Sequence, residues 1–240
     1  MNISNNGWDI AVNLQGGRIE ELDFKGTRVL GTYNRIDGKV GNTHVCLPSF
    51  DKEGESQYNL PFHGLVRIAQ WTMTANAPNS LSISCITPSS NFYPAEFEVI
   101  QTFTLDKSFT HTVKVTHIKG RKVPLNIGYH YYWDTPNGWN GTMIQKEDRT
   151  NDIKTNGFIN LQKSNSIVFP HAQYELVSHG FRSAVLWTSF KESEEKQKEF
   201  SQDFCCIEPI VQWPSYFGSE KSMIHPNETV SASVEIKKVV

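Results

Sequence analysis

The chain has 240 residues, 38% of them hydrophobic and 20% charged, with a formal net charge of −2. That balance suits one large domain with a packed core and lacks the basic surplus of a general nucleic-acid binder. Its apolar runs all fall short of the ~20 residues of a membrane span, and Met1 to Ile10 is polar, without the basic and apolar regions of a secretion signal.

The chain therefore reads as a single domain over residues 1–240, soluble and cytoplasmic, a monomer or homodimer with neither nucleic acid nor membrane as partner. Along it, helical periodicity is scarce and period-two patterning is common. Gly16-Gly17 and Asp37-Gly38 mark early turns. Leu81 to Ile86 alternates apolar and polar residues, and Thr87-Pro88-Ser89-Ser90 closes it. Phe109 to His117 alternates again, and Pro136-Asn137-Gly138 is a further turn. After Pro226-Asn227, the residues Val230, Ala232, Val234 and Ile236 alternate with polar ones. Each alternation is the signature of a half-buried strand. Many short strands with turns between them predict an all-β, antiparallel sandwich or barrel. The charged run Lys191 to Glu199 is expected as a solvated loop or short exposed helix.

Four cysteines are present, Cys46, Cys85, Cys205 and Cys206, without the Cys-x-x-Cys pairs of a structural zinc site. They are expected as free, mostly buried thiols, with Cys205 and Cys206 on opposite faces of one strand.

Three clusters have residue types suited to chemistry. In Leu60-Pro61-Phe62-His63-Gly64-Leu65-Val66-Arg67, the glycine allows close backbone approach to a ligand and Arg67 adds a planar cation. The bland alternative is a turn histidine satisfied by backbone. In Gly128-Tyr129-His130-Tyr131-Tyr132-Trp133, an imidazole sits among rings, as in a sugar pocket or a packed core. In Cys205-Cys206-Ile207-Glu208-Pro209, a carboxylate at the end of an apolar run is either partly shielded, which raises its pKa and suits base chemistry, or faces water. Together they form an acid/base set without nucleophile or redox group. Ligation of a metal by His63, His130 and Glu208 is chemically conceivable, but the spacing does not require it.

In this order, these motifs resemble the aldose 1-epimerase (galactose mutarotase) family, and its short branch that includes hexose-6-phosphate epimerase-like proteins. The likeness spans nearly the whole chain. Gly16 to Leu22 is similar to the family's opening hairpin, Gly41 to Phe50 to its Pro-ending strand, and Tyr93 to Phe97 to the strand before the second histidine. Tyr131 stands where the family usually has proline. Lys39 and Val40 stand near the place where the short branch often has an arginine. The resemblance implies a large many-stranded β-sandwich, with no cofactor and no catalytic metal, acting on a hexose or hexose phosphate. It implies Glu208 as the base at the anomeric hydroxyl, His130 as the acid at the ring oxygen, and His63 as a hydrogen-bonding partner near them. Arg67 would position the sugar or support His63. Asp148 is the best match to the family's acidic substrate-gripping residue, and Trp213 is either a ring that stacks on a sugar face or a core tryptophan. A non-catalytic sugar-binding protein and a hexose-6-phosphate 1-epimerase are the alternative expectations.

Overall fold

A computed structural model describes residues 1–50 and 56–239. Each predicted alternation becomes a strand: Ser80–Thr87, Phe109–Gly120 and Thr229–Val239. Among the described residues the strands form a ten-stranded and a nine-stranded sheet, with three two-stranded ribbons. All named pairings are antiparallel. The centre of the nine-stranded sheet is Ala95–Leu105, Phe109–Gly120 and Thr229–Val239, side by side in that order, with the C-terminal strand inserted between Phe109–Gly120 and Gln173–His179. One of its faces supplies Phe103, Val113, Val115, Val234 and Ile236 to the core. The ten-stranded sheet answers with Trp8, Leu22, Leu30, Tyr129, Tyr131, Trp133, Cys205 and Ile207, all in the same cluster. Burying large apolar side chains of this kind stabilises the fold by about 1.5–3 kcal/mol each.

The core has one polar island. His111 stacks on Tyr129, with ring centres 4.2 Å apart and planes 6° from parallel. Its Nε2 lies 2.9 Å from Gln101 Oε1 and its Nδ1 3.0 Å from the Tyr131 hydroxyl. The Gln101 amide in turn donates to the Gly17 carbonyl. Every ring nitrogen has a partner, so this histidine is a satisfied core residue.

In the ten-stranded sheet, Tyr129, Tyr131 and Trp133 face the core, so Gly128, His130 and Tyr132 face the other way. The same alternation sends Cys205 and Ile207 inward, and Cys206, Glu208 and Ile210 to the far face. That far face is itself covered, by Phe50 over Cys46, Val185 and Ile210, and by Tyr33 and Trp187 against Tyr132, Phe204 and Cys206. All seven residues of Phe204–Ile210 are consequently buried.

Two expectations change. Lys191 to Glu199 is neither loop nor helix throughout: Phe190–Glu192 pairs with Lys198–Phe200 as an exposed hairpin. Phe190 and Phe200 face each other across it, ring centres 5.9 Å apart, and hold its register. Gly64 approaches backbone rather than ligand: its φ is +79°, and a Cβ there would lie 2.1 Å from the Leu47 carbonyl oxygen. The four cysteines are free and buried, as expected.

Candidate active site

Register assembles the site. His44 pairs with His130 across the strands His44–Cys46 and Gly128–His130. Gly128 pairs with Ile210 and Tyr132 with Cys206, which sets His130 level with Glu208. Glu208 pairs with Val185, and Val185 with Phe158. His44, His130 and Glu208 thus stand in a row on the far face of three neighbouring strands. His63 joins from outside the sheet, through the turn after Leu60. Its φ is +60°, a left-handed conformation uncommon for a residue with a side chain. The turn is held by the Gly64 N–H to Pro61 and by the Leu47 N–H to the His63 carbonyl.

The three imidazoles form a triangle. Ring centres lie 5.0 Å apart for His63 and His130, 5.1 Å for His44 and His130, and 5.6 Å for His44 and His63. His44 Nδ1 donates to the Asn42 carbonyl at 2.7 Å, and His63 Nδ1 to that of Phe50 at 3.1 Å. Each bond fixes the proton on Nδ1 and leaves Nε2 as an acceptor. His130 Nδ1 lies 3.5 Å from Glu208 Oε2. His44, His130 and Glu208 are almost wholly buried.

Burial sets the protonation. It pushes the Glu208 carboxyl well above its ordinary range. It pushes His130 well below 6.5, helped by His63, His44, Arg35 and Arg67. His63 is lowered to about 3, first by burial and then by Arg67. Burial therefore favours the protonated form of Glu208 and the neutral form of the imidazoles.

A cavity of about 700 Å³ opens over the histidine end of the row. His44, His63, His130 and Tyr132 line it, with Phe62 at the side. Gly41 keeps it open beside Tyr132, since a Cβ there would meet the tyrosine ring at 2.2 Å. Four cations, Arg18, Arg35, Lys39 and Arg67, also line it, and no carboxylate does among the described residues. Arg35 is paired with Asp37 and stacks on Trp187. Arg18 donates to the Arg67 carbonyl, and its own pKa is lowered by burial and by the Arg67 charge. Neither Arg18 nor Arg67 forms an ion pair among the described residues.

Of the residues singled out from sequence, His63, His130 and Arg67 line this cavity, and Glu208 lies outside its lining, buried 3.5 Å from His130 Nδ1. Asp148 is not among them. It lies exposed on an edge strand of the nine-stranded sheet, where it accepts from the Thr150 N–H. It is a local turn residue, and its carboxyl is lowered by that bond. Trp213 is also outside the histidine cavity. It packs on Phe158, ring centres 5.3 Å apart, and lines a separate cavity of about 600 Å³ with Arg182 and Tyr216. His44, Arg18 and Arg35 escaped the sequence reading. The period-two placement of His44 before Cys46 was the available signal, but only strand register shows that it meets His130.

Residues 2–166 match the sequence profile of the aldose 1-epimerase family. The fold is similar to that of a galactose mutarotase-like protein from Lactobacillus casei, with a TM-score of 0.78 at 13% identity, covering 100% of this chain and 99% of that one. It is also similar to a galactose mutarotase related enzyme from Lactobacillus acidophilus, with a TM-score of 0.75 at 13% identity, covering 100% and 97%. A galactose mutarotase-like protein from Clostridium acetobutylicum gives 0.73 at 15% identity, covering 99% and 95%. No curated relative matches the chain.

Proposed function

The chain belongs to the aldose 1-epimerase family, and from that premise we propose that it interconverts the α- and β-anomers of a hexose, with Glu208 and His130 as its acid/base pair. The observation that carries this reading is the 3.5 Å separation of His130 Nδ1 and Glu208 Oε2 in a buried row. Ring opening removes a proton from O1 and delivers one to O5. Both oxygens are bonded to C1, which calls for an acid and a base a few ångströms apart; His130 lines the cavity and Glu208 is buried 3.5 Å from it. Glu208 takes the O1 proton while His130 protonates O5. C1 then rotates as the free aldehyde, and closure from the other face returns both protons.

The pair shares one proton throughout. The distribution that burial favours, protonated Glu208 with neutral His130, is the one the pair holds while the open-chain aldehyde occupies the site. Starting from a cyclic sugar, the proton passes from Glu208 to His130 over the short gap between them. His63 and His44, each with Nε2 as acceptor, receive hydrogen bonds from sugar hydroxyls. Each positioned acid or base contributes roughly a hundred- to ten-thousand-fold.

The cavity lining favours a more specific substrate. Arg18, Lys39 and Arg67 around one opening suit a sugar that carries an anionic group such as a phosphate. Polarimetry on freshly dissolved α-glucose and α-galactose, and exchange measurements on glucose 6-phosphate, test both levels. Acceleration of any of them supports the epimerase. A salt-sensitive preference for the phosphate supports the anionic substrate. Saturable sugar binding with unaltered anomerisation would make the protein a binding module instead.

A further inference from the structure

Three buried side chains of different chemistry meet where Phe204–Ile210 passes the Gly128–His130 strand. Cys206 and Glu208 are two residues apart on one strand and share a face, and His130 stands level with Glu208. A ring nitrogen of His130, the Cys206 sulfur and a Glu208 carboxylate oxygen all lie within 4.8 Å of one another. Among the described residues His130 Nδ1 makes no hydrogen bond although it is enclosed, and it lies 3.5 Å from the carboxylate. Donors held at tetrahedral zinc distances are separated from each other by roughly 3.3–3.6 Å. The observed 3.5 Å from nitrogen to oxygen already fits one edge of that tetrahedron. The sulfur needs a shift of only about 1 Å, within reach of side-chain rotation.

We infer that His130, Cys206 and Glu208 form a binding site for a borderline divalent cation of the zinc type, and that the ion shuts the catalytic pair when it binds. The donor set decides the class of ion. One thiolate, one imidazole and one carboxylate suit zinc, whereas magnesium and calcium take oxygen ligands. His130 lines the histidine cavity while Cys206 and Glu208 lie outside its lining, so an ion enters past the His130 ring. Binding rests on the cluster alone. Inhibition rests on the reading of Glu208 and His130 given above, because a nitrogen or carboxylate engaged by metal no longer transfers protons.

The test adds cobalt(II) to chelator-treated protein and follows the near-ultraviolet thiolate-to-metal absorption, with zinc binding measured in parallel by equilibrium dialysis. One equivalent and a thiolate band are expected. Cys206→Ser should abolish the band and weaken zinc binding by more than roughly tenfold, the lower end of what a supporting residue around a metal contributes. Cys46→Ser, which alters a thiol in the neighbouring apolar cluster, should keep both. Should Cys206→Ser fold poorly, Glu208→Gln provides the second reading: weaker zinc binding with the thiolate band retained. In the anomerisation assay zinc should inhibit the wild type reversibly with chelator, and inhibit Cys206→Ser only at more than roughly tenfold higher concentration. Absence of the thiolate band, or unaltered binding by Cys206→Ser, overturns the site. Metal binding by a protein without anomerisation activity would leave the site standing and remove the epimerase; activity without metal binding would do the reverse.

Discussion

His130 Nδ1 and Glu208 Oε2 face each other at 3.5 Å in surroundings that drive their titrations apart. Burial lifts the Glu208 carboxyl, while burial and neighbouring cations lower His130. The pair therefore holds one proton over a wide pH range, losing it only as Glu208 ionises and gaining a second only as His130 protonates. The expected kcat/KM profile is flat through 6.5, the ordinary histidine value. Its acid limb lies below that and belongs to His130. Its alkaline limb belongs to Glu208. A profile falling through an alkaline limb centred at 6.5 would contradict this assignment.

The cavity cations make a substrate prediction. Arg67→Gln removes a guanidinium group on the opening that forms no ion pair among the described residues. For a sugar phosphate it should raise KM by about tenfold, the scale of one charge-assisted hydrogen bond, about 1.5 kcal/mol. KM for the unphosphorylated sugar should change less. The same comparison in high salt should shrink the difference for the wild type. Equal effects on both sugars would place Arg67 in general sugar positioning.

Acid stability follows from the buried imidazoles. His44, His63, His111 and His130 all have lowered pKa values, His63 and His111 at about 3. Unfolded, each protonates below 6.5, so their stabilisation is complete above that and is lost as pH falls toward the folded values. Glu208 has the opposite sign: its raised value stabilises fully below 4.5 and is lost as pH rises. Near pH 5.5 these five groups give a net uptake of about three protons on unfolding. Urea midpoints measured from pH 5 to 7 should rise steeply with pH. A flat dependence would mean that these histidines are not held neutral.

Backbone geometry at the His63 turn predicts a structural cost. Gly64→Ala places a Cβ at 2.1 Å from the Leu47 carbonyl oxygen on a residue with φ of +79°. Steric strain and the disfavoured conformation should together cost about 2–4 kcal/mol in urea unfolding. A loss under ~0.5 kcal/mol, the range of an ordinary surface substitution, would show that the turn relaxes freely.

The parts legible in the sequence were those set by local pattern. Alternation at Leu81 to Ile86, Phe109 to His117 and Val230 to Ile236 is a backbone property, and each became a strand. The opposite facing of Cys205 and Cys206 follows from the same period. His63, His130 and Glu208 were recognisable by their flanking residues. Strand order is different, because it is set by non-local pairing. The pairing of His44 with His130 depends on residues far apart in sequence, so His44 passed as part of a strand. Asp148 illustrates the converse: it is the best match in the sequence to the family's acidic residue, but its short edge strand belongs to the other sheet. The Lys191 to Glu199 run looked uniformly solvated because its charges hid the Phe190 and Phe200 pair that closes the hairpin. No helix among the described residues is long and apolar enough to cross a membrane.

The most direct test is the rate of α-to-β exchange at the anomeric proton, read by NMR exchange spectroscopy on a hexose and its 6-phosphate with chelator-treated protein. Wild-type protein should accelerate exchange on at least one of them. Glu208→Gln, which keeps the side chain's shape but cannot cycle a proton, should lower that acceleration by roughly a hundred- to ten-thousand-fold. Acceleration undiminished in Glu208→Gln would contradict the assignment of Glu208 and His130 as the proton-transfer pair.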